Sequence, residues 1–310
     1  MRLRLFPTLA LITALLTVVL IVLGGVVRVT DSGLGCGDHW PLCNGTIFPP
    51  LDNITAWIEW MHRLLALLIG LFGLASLIIA IRDYRKQKRT VLAATIAAAL
   101  LYSVQDLLGR AVVLNELNPV LVTVHLATAM LLLGFLLVAA ALAGYTPKAH
   151  YARDRFTALA LITAALSFVI ILTGAFVRGS GATLACLTWP ACNGEIFPFD
   201  QGTLATIQMM HRFAVVALGI SLVLLVWSAW TSRKGRTRTL ATLALVAYLC
   251  QAGVGAMVVF SRAEDIWGAA HVGFAAVTWA LLIVLCVVET SNTAERLESE
   301  WQAQSEPLLN

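Results

Sequence analysis

Apolar residues run in eight long blocks along the chain, near residues 7 to 27, 57 to 81, 91 to 113, 120 to 144, 156 to 177, 204 to 230, 239 to 260 and 266 to 289. Polar and charged residues gather between them. Each block is roughly 20 residues or longer, the length a helix needs to cross a hydrocarbon layer about 30 Å thick while satisfying its own backbone groups. The pattern predicts an all-α polytopic membrane protein with eight transmembrane helices. The first block follows Arg2 and Arg4 in the manner of a signal peptide, but it is long and no small-residue cleavage pattern follows it, so it is read as a helix.

Composition agrees: of 310 residues 59% are hydrophobic and 12% charged, against about 25% charged in soluble domains. A water-soluble globule is excluded. With 21 basic and 17 acidic residues the chain is mildly basic. Its cations fall in short blocks between apolar runs, so no nucleic-acid partner is expected. Arg2, Arg4, the 82–89 stretch, Lys148, Arg153, Arg155, the 233–238 stretch and Arg296 place 15 of the 21 cations on one side of the eight spans. The positive-inside rule makes that side cytoplasmic, with both termini there. Two longer loops, roughly 28 to 56 and 178 to 203, then lie outside and carry all the loop cysteines.

The chain repeats itself at an offset of about 150 residues. Gly24 to Arg28 (GGVVR) aligns with Thr173 to Arg178 (TGAFVR), and His39 to Pro49 (HWPLCNGTIFP) with Thr188 to Pro198 (TWPACNGEIFP). Glu59 to Arg63 (EWMHR) aligns with Gln208 to Arg212 (QMMHR), Gln105 and Gly109 with Gln251 and Gly255, and His125 with His271. Four spans per copy, an even number, give both halves the same topology, which predicts two pseudo-symmetric four-helix bundles related by an axis along the membrane normal. The expected division is 1–146, 147–290 and a polar cytoplasmic tail, 291–310.

Four of the six histidines, His62, His125, His211 and His271, fall inside spans and at one depth, roughly five to seven residues from the outer helix ends. Ionisable residues in a bilayer face the bundle interior and mark function. Two facing histidines per bundle would supply both axial ligands of a haem iron; the plainer reading makes each an interhelical hydrogen-bonding group. Zinc or non-haem iron fits less well, because each bundle offers only two histidines and the one nearby carboxylate, Glu59, has no counterpart in the second copy.

Cys36 with Cys43, and Cys186 with Cys192, bracket Trp-Pro in each outer loop, at spacings unlike those of zinc sites. On an oxidising side such thiols close a disulfide over the bundle mouth; the alternative is a redox relay or a transient contact with haem. Cys250 and Cys286, within apolar spans, read as inert core residues. Glu59 lies one turn outward of His62 on the same face, and its match is the neutral Gln208. A carboxylate beside one haem only suits a group that accepts a proton during chemistry, or else one that snorkels into interfacial water. Asp106 and Arg110 are spaced to pair along their helix. Arg28, Arg63, Arg178 and Arg212 stand at the outer edge in both copies, placed either to bind haem propionates or to anchor helix ends.

Together these features closely resemble the haem A synthase family, bacterial type, over nearly the whole chain up to about residue 290. The resemblance implies oxidation of the C8 methyl of farnesylated haem O, through an alcohol, to the formyl group of haem A, with water as the source of the aldehyde oxygen. It implies that His62 and His125 ligate the substrate or product haem, that His211 and His271 ligate a haem b cofactor, and that Glu59 is catalytic. The cysteine pairs match the family's disulfide loops, although the second pair is one residue shorter. The partners implied are haem O, membrane lipid, haem O synthase, cytochrome oxidase assembly factors and an electron acceptor that the sequence does not name, in a bacterial inner membrane. A bis-histidine iron has no open position, so the reaction needs either a histidine that leaves or electrons passed to another acceptor. A dihaem electron carrier working with quinone, a haem chaperone and a thiol oxidase are the competing readings.

Overall fold

The computed structural model describes residues 5–38, 40–146 and 154–305, with side chains as far as residue 292. Arg2, Arg4, His39, Lys148, Arg153 and the side chain of Arg296 lie outside the described residues. Within them the chain forms α1 (Leu5–Val29), α2 (Ile54–Tyr84), α3 (Arg89–Leu114), α4 (Pro119–Gly144), α5 (Arg155–Gly179), α6 (Thr203–Ser232), α7 (Arg236–Phe260) and α8 (Asp265–Ser305). All eight are long and apolar enough to cross a membrane. Most ends run one to four residues beyond the predicted blocks, because polar caps extend them. Asn53 caps α2 by accepting from the Ala56 amide, Asn118 caps α4 from Val120 and Leu121, and Asp154 caps α5 from Phe156 and Thr157. The last helix continues well past residue 289, through a polar stretch that includes the helix formers Glu, Ala and Gln, with no proline before Pro307.

In the first half α1 packs on α2 and α4, and α3 on α2 and α4; in the second α5 packs on α6 and α8, and α7 on α6 and α8. This neighbour pattern is consistent with two side-by-side quartets. Along the seam between them α1 and α4 meet α8, and α4 meets α5. Buried Trp279 of α8 crosses that seam, donating from Nε1 to the Met130 carbonyl at 2.8 Å and lying 5.4 Å from the Phe168 ring. Large apolar side chains such as Leu71, Leu100, Val223 and Trp227 stand exposed on the perimeter, the surface a bilayer covers. Cys250 is on that perimeter rather than in the core; a helix apolar all round carries no facing signal in its sequence. Cys286 is buried as expected.

At the end opposite the cysteine loops, Arg233 closes the second half. Its Nε and Nη2 donate to Glu289 Oε1 at 2.8 and 2.6 Å, and Nη2 also reaches Asp154 Oδ1 at 2.8 Å. Burial disfavours the charge on Asp154, yet the bonds from Arg233 and from the Thr157 and Phe156 amides outweigh it and hold the carboxyl below its ordinary value. That bond therefore weakens only as the pH falls through the lowered value. Arg233 and Glu289 are 3% and 0% exposed, so Arg233→Met, which leaves the Glu289 charge buried, should cost about 3–5 kcal/mol. Thermal unfolding in detergent checks this; an unchanged Tm would contradict it.

Candidate active site

The outer loops are built twice on one plan. In each, an Asn-Gly pair with positive φ (Asn44 50°, Gly45 79°; Asn193 49°, Gly194 94°) turns the chain between bridged partners, Cys43 with Thr46 and Cys192 with Glu195. The disulfides Cys36–Cys43 and Cys186–Cys192 close both loops. Gly35 lies so close to the start of α2 that a Cβ there would sit 2.5 Å from the Thr55 backbone. The loops are then fastened to the helices beneath. The Cys36 amide donates to Glu59 Oε2 at 2.9 Å, and the Cys186 amide to Gln208 Oε1 at 2.6 Å. Gln208 uses its second group too, donating to the Thr183 carbonyl at 3.0 Å, whereas Glu59 instead pairs with Arg63.

Glu59 is therefore 4% exposed and does not snorkel. Its position does one structural job in both halves, accepting the amide of the first loop cysteine. Only the charge differs. The arginines divide as well. Arg63 Nη1 donates to the Leu42 carbonyl at 2.9 Å, and Arg212 Nη1 to Thr188, Pro190 and Ala191 at 2.8 to 3.0 Å, so both staple the loops. Arg28 approaches Asp31 at 3.7 Å, while Arg178 Nη2 donates weakly to the Arg28 carbonyl. Arg178 Nε and Arg212 Nη2 are buried without hydrogen-bond partners. Asp106 and Arg110 make no ion pair; the Arg110 guanidinium instead lies 5.9 Å from the Trp40 ring centre. The outer loop offers that arginine an aromatic face that its spacing to Asp106 could not reveal.

Beneath the loops lies a cavity of about 1320 Å³ lined by all four histidines, Glu59, Gln208 and the four arginines. It exceeds the roughly 300–1,000 Å³ of a single small-ligand pocket. His62 and His125 of the first half and His211 and His271 of the second all face this one space. Among the described residues no three His, Cys, Asp or Glu side chains gather as a metal cluster. Each imidazole sits over a glycine of the preceding helix. A Cβ added to Gly24, Gly109, Gly174 or Gly255 would come within 3.0 to 3.3 Å of His62, His125, His211 or His271 respectively. Glycine inside a helix costs about 1 kcal/mol relative to alanine, so four such placements mark a packing demand.

The repeat signalled two of these glycine pairs, but spacing alone could not tie them to the histidines. If His271 ligates a haem, as the resemblance implies, Gly255→Val should push it aside and remove one haem equivalent from the absorption spectrum without unfolding the chain; a full spectrum would contradict that role. A second repeated contact also went unread. Tyr102 and Tyr248 lie against Gly70 and Gly219 and donate to the Ala66 and Val215 carbonyls at 3.0 and 2.7 Å.

Paired imidazoles, a cavity too large for one small ligand and unsatisfied guanidinium nitrogens at its rim fit haem with its propionates. A model of the family described as cytochrome oxidase assembly protein matches residues 7–283, which contain every residue of this site. The chain belongs to that family. Among similar proteins, the Heme A synthase of Shouchella clausii is 30% identical over 297 residues, covering 93% of this chain and 98% of that protein. Those of Halalkalibacterium halodurans and Symbiobacterium thermophilum are each 30% identical, over 94% and 85% of this chain and 98% and 88% of their own lengths. The eight long apolar spans make this a multi-pass membrane protein.

Proposed function

We propose that this enzyme converts haem O to haem A, with haem O held by His62 and His125 in residues 1–146 and a haem b held by His211 and His271 in residues 147–290. The observation that carries the reading is a difference in depth between two otherwise repeated halves. In the first, the cavity lining reaches Thr17, Ile69, Tyr102 and Leu132, each seven residues below Gly24, His62, Gly109 and His125. In the second it stops at Ile170, Val216, Gln251 and Ala275, four or five residues below the matching positions. The lining of the first half thus runs two or three residues deeper on every helix, about 3 to 4.5 Å. That apolar extension suits the farnesyl chain that distinguishes the substrate from haem b.

Oxidation of the C8 methyl of the bound haem O through an alcohol to a formyl group, with water supplying the oxygen, passes four electrons to an external acceptor and releases four protons. Around that haem, the chain's residues position and neutralise. Arg28, Arg178 and Arg212 present guanidinium donors to propionates. Glu59, paired with Arg63, retains lone pairs beyond those used by the Cys36 amide and takes up one of the protons released in the oxidation. Gln208 cannot do so, which assigns the second half a redox or structural part. The disulfides staple the loops over the cavity. The distribution of cations supports an orientation with both ends of the chain in the cytoplasm, the bacterial relatives support a bacterial inner membrane, and haem O synthase and oxidase assembly factors are the expected protein partners.

The test supplies haem O to the purified chain and weighs the extracted pigments. Hydroxymethyl or formyl farnesylated haem supports the enzyme; haem b alone would leave a dihaem carrier. Filling the floor of the deep half also has a predicted consequence. Leu132→Trp should raise the KM for haem O about tenfold, since overpacking costs about 1–3 kcal/mol, while leaving the content of haem b intact. An unchanged KM would place the tail elsewhere.

A further inference from the structure

The histidines of the two halves are not held alike. His211 donates from Nδ1 to Thr173 Oγ1 at 2.8 Å, and that hydroxyl donates onward to the Ile170 carbonyl at 2.9 Å. His271 donates from Nδ1 to the Gln251 backbone carbonyl at 3.1 Å. Both bonds fix the proton on Nδ1 and leave the Nε2 lone pair for iron, the arrangement in which an outer partner orients a ligating imidazole. In the first half the residue matching Thr173 is Leu23, which offers His62 no hydroxyl. His125 Nδ1 is buried without a hydrogen-bond partner, and its Nε2 instead lies 3.0 Å from Gln105 Nε2. An amide NH₂ only donates, so the Gln105 amide occupies the same Nε2 lone pair that an iron would use.

We infer that Gln105 is the alternative partner of the His125 iron-binding nitrogen, making His125 the ligand that leaves the first iron and opens a position there. The inference rests on the proposed placement of haem O between His62 and His125. Gln105 acts here as a positioning residue, because it receives an imidazole rather than touching the reacting carbon. An unbound imidazole in this buried setting needs a polar partner, and Gln105, whose Oε1 is itself buried without one, is already in reach. The second half has no such exchange, since a backbone carbonyl anchors His271 whatever the Gln251 side chain does. One ligand pair is built to stay bound and the other to open.

Carbon monoxide binding to the reduced protein, carrying haem O in the first site and haem b in the second, reads this opening without turnover. Removing one hydrogen-bond partner of the departed imidazole should lower CO binding at the first site about fivefold in Gln105→Leu, whereas Gln251→Leu leaves first-site CO binding unchanged. Should Gln105→Leu load poorly, Gln105→Val, which neither hydrogen-bonds the imidazole nor ligates iron, carries the same readout. Equal CO binding in wild type and the Gln105 variant, with haem O bound in both, overturns the inference while leaving the placement of haem O standing. A wild-type chain that binds no haem O at His62 and His125, judged by the pigments of the His62→Ala and His125→Ala variants, overturns both.

Discussion

Glu59→Gln should leave the haem content of the chain unchanged and slow conversion of haem O by at least about 100-fold, the lower end of what a positioned acid or base contributes. The second half contains the control for folding. There Gln208 already accepts the Cys186 amide at 2.6 Å, so an amide in place of Glu59 keeps the Cys36 bond and the loop seated. What it removes is the charge and the proton-accepting capacity. Glu59→Ala differs: it leaves the buried Cys36 amide without an acceptor, at about 1–3 kcal/mol, and should loosen the loop as well as stop the chemistry. Timed extraction of haem O, alcohol and haem A from each variant separates the two effects. Unchanged turnover in Glu59→Gln would reduce Glu59 to a staple and remove it from the mechanism.

His211→Ala should lose the haem of the second half while the first half still loads. On the proposed assignment His211 would offer Nε2 with its proton held on Nδ1 by Thr173, so its removal would take away an oriented ligand and His271 alone would hold iron from one side only. His62→Ala should do the reverse. Pigment extracted per chain, compared across the two variants, measures the outcome. A complete two-haem spectrum in His211→Ala would contradict the pairing of His211 with His271.

Much of this architecture is legible in the sequence because the solvent is a bilayer. Eight helices must each satisfy their own backbone, so length and apolarity suffice to place them, and the duplication doubles every signal. His62 aligned with His211, and Glu59 with Gln208, pointed to the cavity and to its one-sided charge. The sequence was silent where the partner is a backbone group or a void. The bond from the Cys36 amide to Glu59, the Gln251 carbonyl that orients His271 and the glycine beneath each imidazole follow from helix rotation and close approach, which apolar stretches leave unmarked. For the same reason Cys250 read as core and lies outside, and Arg110 turned from Asp106 to Trp40. The buried Arg233 was counted only as a loop cation, since its partners Asp154 and Glu289 are 79 and 56 residues away.

The central claim is that two pairs of imidazoles, one in each half, hold two haems. Near-infrared magnetic circular dichroism of the oxidised protein loaded with haem O tests it most directly, because low-spin iron between two imidazoles has its own charge-transfer band. Two bis-imidazole haems per chain are expected, one lost with His211→Ala and the other with His62→Ala. A colourless chain that does not take up haem, or a single haem unaffected by either substitution, would contradict it.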